Sequence, residues 1–338
     1  MPVTTDFQIP REEHPFAQYI RILGKGKTGS RSFSRAEAHT AFGMLLRGEA
    51  DAMQVGAFLM LLRVKEETGE ELAGFVDACR TEMTAPPAGL SADLDWPSYA
   101  GKRAQHPWYL LAATLIAQAG YRVFLHGGDG HTQGRLYTEQ AMQSLGLPVA
   151  DSWKQVSSQL DRDSISYLPI RRFCAPLSQL MLLRPLLGLR SPVNTLSRMF
   201  NPLQASASIH SIFHPAYAEL HHAADKLLGQ PRSLVFKGDS GEVEIKPQAK
   251  TRLMLLQGQQ ESELLLPRTV ADKVAAVDQP SVAPLQALWR GAQHDPYGRD
   301  ATLATTAAAL LAVGFADSLA PCQAHATELW NNRDKERF

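Results

Sequence analysis

Residues 46–80, LRGEADAMQVGAFLMLLRVKEETGEELAGFVDACR, decide the architecture of the first quarter of the chain. Within 53–64, Val55, Phe58, Leu59 and Leu62 fall on one helical face, and residues 69–81 repeat that period. Just upstream, Ser34 with Glu37 three residues later forms a capping box for a helix over 35–47, which stops before Gly48. Three helices joined by short turns predict a compact helical layer from Pro15 to about Met83.

Outward from this layer the pattern changes. Residues 84–97 (TAPPAGLSADLDWP) are rich in proline and small side chains and read as a link into a second architecture. Beyond it, apolar runs at 121–125, 165–168, 207–212 and 233–236 read as buried strands. They alternate with helical stretches at 108–119, 136–145, 216–228 and 302–312. Such alternation predicts an α/β unit with a mostly parallel sheet covered on both faces.

The weakly polar run 301–316 is shorter than the roughly 20 residues of a membrane helix and carries threonines, so it reads as a buried helix. The N-terminus mixes acids with bases and lacks an apolar core stretch, which excludes a secretory or transit signal and predicts a cytoplasmic protein. Cys79, Cys174 and Cys322 show no paired spacing and read as small core residues, not as a disulfide or zinc framework. His210, His214, His221 and His222 lack the accompanying residues of a metal motif and read as core or surface histidines.

The formal net charge is zero, but the charge is unevenly placed. Residues 19–36 hold Arg21, Lys25, Lys27, Arg31 and Arg35 without an acid, and 164–218 hold Arg171, Arg172, Arg184, Arg190 and Arg198 without one. Two readings follow: an electropositive surface, or arginines paired with acids elsewhere in the fold.

The 46–80 stretch resembles the helical-domain signature of anthranilate phosphoribosyltransferases, in the GEA turn at Gly48–Glu49–Ala50 and in Gln54, Ala57, Phe58, Arg63, Lys65, Glu67, Thr68, Glu71 and Gly74. Residues 190–202 (RSPVNTLSRMFNP) are similar to the family's RT-x-x-N-x-LGPL-x-NP, 213–220 (FHPAYAEL) to its YHP-x-x-AEL, and 299–319 to its C-terminal helix. The resemblance implies a small helical domain (1–85, plus about 170–198) beside a larger α/β domain (86–169 and 199–338) of the nucleoside phosphorylase and phosphoribosyltransferase type. It also implies a homodimer through the helical domain.

The same comparison locates the departures. Where the family has the phosphate-cradling D-x-x-GTGGDG loop, residues 95–105 read DWPSYAGKRAQ, which keeps Gly101 and introduces Lys102 and Arg103. The family's KHGNR segment becomes LHGGDGHTQGR at 125–135, keeping His126 and Gly127 within a GGDG that reads as a flexible turn. Its magnesium-binding Asp-Glu pair falls on Val243 and Glu244. Asp239, Glu242 and Glu244 lie close enough in sequence to improvise a metal site, but alternation along a strand or turn more often puts such acids in solvent, which is the expectation here. Arg184 matches the family's anthranilate-carboxylate arginine, and Asn194 is also kept.

The degenerate loop, with Ser98, Tyr99, Gly101 and Arg103, is similar to the YbiB-like, or second-TrpD, branch, whose association is with nucleic acid. Two functions therefore stand. The first is non-specific nucleic-acid binding by a dimer without catalytic residues or cofactor, through Lys25, Lys27, Arg31, Lys102, Arg103, Arg171, Arg172, Arg184, Arg190 and Arg198. In that reading Gly101, His126, Gly127, Arg184, Asn194 and Glu244 are vestiges, and Tyr99, Trp108 and Phe173 stack on bases or, as the commoner role, fill the core. The second is a phosphoribosyltransferase using phosphoribosyl pyrophosphate and magnesium on an altered acceptor.

Overall fold

A computed structural model describes residues 12–26, 28–128, 130 and 132–338; Lys27 and Asp129, both read from the sequence, lie outside the described residues. The helical layer comprises α1 (Ala17–Gly24), α2 (Arg35–Leu46), α3 (Ala52–Lys65) and α4 (Gly69–Glu82). Capping boxes start three of the four, at Ser34 with Glu37, Asp51 with Gln54, and Thr68 with Glu71. Each satisfies N–H groups that the first helical turn leaves without partners, so these boundaries are set locally. Phe33, Phe42, Phe58, Leu62, Leu72 and Phe75 pack into one apolar core beneath them.

The chain then builds the sheet through β1 (Leu94–Ser98), α5 (Tyr109–Gln118), β2 (Val123–Gly127), α6 (Thr138–Leu145), α7 (Trp153–Asp163) and β3 (Ile165–Pro169). It returns to the helical layer through four short helices, α8 (Ile170–Phe173), α9 (Ala175–Met181), α10 (Arg184–Leu187) and α11 (Val193–Leu196). Leu177, Met181, Val193 and Leu196 from this excursion join the core of the helical layer. The second half adds β4 (Ala207–Ile212), α12 (Tyr217–Leu227), β5 (Arg232–Lys237), β6 (Thr251–Gln257) and β7 (Gln260–Leu266). Three helices close the chain: α13 (Ala283–Arg290), α14 (Pro296–Val313) and α15 (Leu319–Asn331).

The strand order is β3-β2-β1-β4-β5-β6-β7. β1 to β5 run parallel, and β6 and β7 form an antiparallel hairpin at the edge. Side chains alternate between two cores, as the pleat requires. Leu94, Trp96, Val123 and Leu125 face α5 and α14, whereas Phe124 and Leu168 face the helical layer. Residues 301–313 lie in α14, whose buried Thr302 and Thr306 hydroxyls donate to carbonyls one turn back. Among the described residues no helix is long and apolar enough to cross a membrane.

The topology itself marks a site. From β1 the sheet grows one way through β2 and β3, and from β4 it grows the other way, so the order reverses between β1 and β4. In open parallel sheets the crevice at the carboxyl ends of such a strand pair is where ligands bind. Here that end carries residues 98–102 and, after β5, residues 238–244.

Candidate functional site

Ser98 ends β1, and the chain turns through Tyr99, Ala100 and Gly101, the last with φ +69°. A phosphate loop needs converging backbone N–H groups at this place. The convergence is present, with Ala100 N–H and Gly101 N–H both pointing at one oxygen, but that oxygen belongs to Glu242. Glu242 Oε1 accepts them at 2.7 and 2.5 Å, and Oε2 accepts the Ser98 hydroxyl at 2.6 Å. Arg135 braces the turn from outside, donating to the carbonyls of Ala100 and Gly101 at 2.9 and 2.8 Å. The Glu242 carboxylate thus sits in an anion cradle made by its own chain.

The next residue repeats the theme with opposite sign. Lys102 is anchored by reciprocal 2.9 Å backbone bonds with Leu136, and its side chain is fully buried. Nζ donates to Glu244 Oε1 at 2.5 Å and also to Asp239. Glu244 Oε2 accepts the Tyr109 N–H at 2.9 Å, placing the carboxylate at the N-terminus of α5, where the helix dipole favours an anion. Burial pushes the Glu244 carboxyl up to about 7 against the pull of Lys102, with Asp239 adding to the rise. Burial also works against the Lys102 ammonium, but Glu244 and Asp239 outweigh it and hold its pKa above the ordinary lysine value.

Two sequence expectations are therefore corrected. Lys102 is an interior cation neutralised by carboxylates, so it offers nothing to a surface ligand. Asp239, Glu242 and Glu244 do not face solvent; all three are buried, because their partners arrive from β1 and α5. These donors also do not fit a phosphate-bridging divalent cation. The Lys102 ammonium lies between Asp239 and Glu244, Val243 is buried and offers no ligand, and among the described residues no group of three His, Cys, Asp or Glu side chains could hold a metal.

His126 and Gly127, kept from the family pattern, are likewise turned inward. His126 is buried, with Nε2 3.0 Å from Asp95 Oδ1 and Nδ1 2.7 Å from the Tyr99 hydroxyl. Asp95 also accepts from Ser208 Oγ at 2.8 Å, and Ser208 continues to His210 at 2.8 Å. A Cβ on Gly127 would overlap the Ser98 carbonyl, so that glycine serves close strand packing. Tyr99, Trp108 and Phe173 are buried and unavailable for stacking on a base. His210, His221 and His222 are buried too.

The basic residues divide. Arg31 forms a two-pronged pair with Glu37 at 2.6 and 2.7 Å, and Arg171 forms one with Glu139 at 2.7 and 2.8 Å, so pairing with distant or local acids claims both. Lys25, Arg103, Arg172 and Arg190 are exposed. Although Arg190 as a residue is open to solvent, partial desolvation of its guanidinium, with repulsion from Arg135 and Arg184, holds it below its ordinary pKa. Arg198 is lowered by burial and by Arg190, although Glu242 opposes this, and it donates to the Ser211 carbonyl at 2.7 Å. Arg135, Arg184, Arg190 and Arg198 therefore form one mutually repelling cluster beside the plugged loop. Arg184 reaches Thr132 at 3.1 Å, and Thr132 lines a cavity of about 470 Å³ with Arg103. Asn194 stands with Arg190 and Arg198 around a smaller cavity of about 140 Å³. Arg135 was not singled out from the sequence, since a lone arginine after a glycine turn carries no local signal.

A helical layer beside a parallel sheet, with a phosphate-type loop at the switch point, defines a class, and the chain belongs to it: the glycosyl transferase family. The family's helical bundle domain matches residues 17–83 and its a/b domain residues 109–332. Within that family the chain is anthranilate phosphoribosyltransferase-like. It is 29% identical to YbiB of Escherichia coli over 71% of this chain and 76% of that protein. It is 28% identical to the anthranilate phosphoribosyltransferase of Methylocella silvestris over 88% and 86%. In three dimensions it resembles the anthranilate phosphoribosyltransferase (TrpD) of Thermus thermophilus, with a TM-score of 0.76, 21% identity and 94% of each chain covered. The Saccharomyces cerevisiae enzyme in complex with PRPP and Mg gives 0.78, 17% identity, and 95% and 94% coverage.

Proposed function

We propose that this chain has given up phosphoribosyl transfer and binds nucleic acid without sequence specificity, as a homodimer. The observation that carries the first half is the Glu242 carboxylate in the Ala100–Gly101 cradle. A pyrophosphate entering there would meet a buried anion already holding the N–H donors, and the interior ammonium of Lys102 stands where a metal would otherwise bridge. The active-site elements serve instead as a polar core pinning β1, α5 and the 238–244 loop together.

The second half rests on what lies outside that core. Arg184, Arg190 and Arg198 with Arg135 concentrate positive charge at the mouth of the cleft, and Lys25, Arg103 and Arg172 add exposed cations. Such charges track phosphates and leave base edges unread. Exposed Met53, Leu182, Leu186 and Leu189 on the helical layer supply apolar surface for pairing two copies.

The test is anisotropy of a labelled oligonucleotide between about 50 and 200 mM salt, beside calorimetry with phosphoribosyl pyrophosphate and magnesium. Steeply salt-dependent binding and no heat from the small ligand are expected. Salt-independent binding, or turnover of phosphoribosyl pyrophosphate, would overturn the reading.

A further inference from the structure

A third cavity lies beside the 238–240 loop, separated from the small cavity of Arg190 and Arg198 by Ile212 and Phe213, which line both. It encloses about 670 Å³ between the carboxyl ends of β4 and β5, the first turn of α12, and segments 246–252 and 271–273. That volume accepts a ligand of cofactor size. Its inner wall is apolar, formed by Ile212, Val235, Phe236 and Met254, and Phe213 projects at the entrance with half of its surface exposed.

The rim is basic and unneutralised. Lys237, Lys246, Lys250 and Lys273 all line the cavity and are exposed, and among the described residues none of their ammonium groups has a hydrogen bond or ion pair. The other charged groups of the wall are already engaged. Arg252 is held by Glu263 at 2.6 and 2.9 Å, and Asp239 by Lys102. Asp272 is the remaining carboxylate of the lining. Ala218 in the first turn of α12 and Pro215 just before that helix line the cavity, and no side chain caps the helix, so its positive end adds to the field.

Four unpaired lysines around one apolar hollow repel each other unless a polyanion arrives. Ammonium groups are compact point charges on flexible stems, suited to a polyphosphate of variable geometry more than to a planar carboxylate. The aromatic ring at the entrance suits a flat heterocycle. We propose that this cavity binds a free nucleoside di- or triphosphate, its polyphosphate on Lys237, Lys246, Lys250 and Lys273 and its base against Phe213 and Met254. No residue of the arginine cluster lines this cavity, although Phe213 stands between it and the cavity of Arg190 and Arg198, so the lysine variants and not Phe213 separate the two readings.

The full chain is titrated calorimetrically with ATP in EDTA, with inorganic tripolyphosphate and with adenosine. ATP is expected to bind, and to bind at least about tenfold more tightly than either fragment, since each keeps one half of the recognition. Lys246→Glu with Lys250→Glu should weaken ATP by about tenfold or more. Both lysines are exposed, so an unchanged melting curve verifies the fold. Phe213→Ala should weaken ATP and leave tripolyphosphate unchanged, and Arg190→Glu should leave ATP untouched. Absence of binding at millimolar ATP, equal affinity for ATP and tripolyphosphate, or wild-type affinity in the lysine pair would overturn the proposal. So would displacement of ATP by a short oligonucleotide that itself depends on Lys246 and Lys250, which would assign the cavity to the polymer's track.

Discussion

Replacing Lys102 by methionine tests the interior ion cluster most directly. The substitution keeps an unbranched apolar stem, one atom shorter, and removes the charge, leaving Asp239 and Glu244 buried without their cation. Breaking a buried pair by deleting one partner costs about 3–5 kcal/mol, because the remaining charge is uncompensated. The cost depends on pH, and its sign follows from Glu244. Its carboxyl already stands at about 7 in the fold against 4.5 ordinarily, a gap that disfavours the folded state by on the order of 3 kcal/mol above pH 7. An acid with a raised folded pKa contributes stability that is complete below its unfolded pKa and is lost as pH rises through the folded value. Without Lys102 that pKa rises further, so Lys102→Met should be near wild type at about pH 5 and most destabilised at about pH 8. Urea unfolding followed by the fluorescence of buried Trp96 and Trp108 at both pH values reads this. A loss under about 1 kcal/mol, or one equal at the two pH values, would refute the reasoning. Adding Asp239→Asn and Glu244→Gln to the methionine variant should recover most of the loss at the higher pH.

Glu242→Ala leaves the Ala100 and Gly101 N–H groups and the Ser98 hydroxyl without their acceptor, at a cost of about 1–3 kcal/mol, and should let inorganic pyrophosphate raise the melting temperature where wild type shows no shift. A variant as indifferent to pyrophosphate as wild type would mean that the loop is no anion cradle. Gly238→Ala drives a Cβ into the Glu242 carbonyl and Ser211 Oγ and should lower stability by about 1–3 kcal/mol in thermal unfolding. Arg31→Ala, which breaks an exposed pair with Glu37, should leave the melting curve almost unmoved in the same assay. Arg190→Glu should weaken oligonucleotide binding and flatten its salt dependence without moving the melting curve, as an exposed residue of the arginine cluster would.

The helical layer was legible because its signals are local. A capping box joins residues three apart, and a helical face repeats every three or four, so Ser34, Glu37 and the Val55–Phe58–Leu62 stripe fall inside one short window. β1 escaped notice because Leu94–Ser98 carries Pro97 and follows a proline-rich link. Its pairing with β4 stops at Asp95, so the proline falls where that side of the strand is no longer paired. The β6–β7 hairpin also went unread. Its turn depends on Gly258 at φ +60°, and β7 is an exposed edge strand with little apolar alternation.

The site was legible in its departures and illegible in its geometry, for one physical reason. Ser98, Ala100, Gly101, Lys102 and Tyr109 meet Asp239, Glu242 and Glu244 across 135 to 144 residues of chain, and no local pattern encodes that encounter. Read alone, a lysine gained in a glycine loop is surface charge, and acids two or three apart are a solvated turn. Brought together they neutralise each other: Glu242 takes the N–H donors a phosphate would use, and Lys102 occupies the carboxylates a metal would use. Lys102 and the carboxylates of the 239–244 segment are thus partners inside the fold. The positive charge beside the loop comes from elsewhere, from Arg135, Arg184, Arg190 and Arg198, of which Arg190 feels the repulsion of Arg135 and Arg184. A loop that fills its own cradle and an arginine cluster beside it separate the question of transfer from the question of binding, and variants at Glu242 and Arg190 address them one at a time.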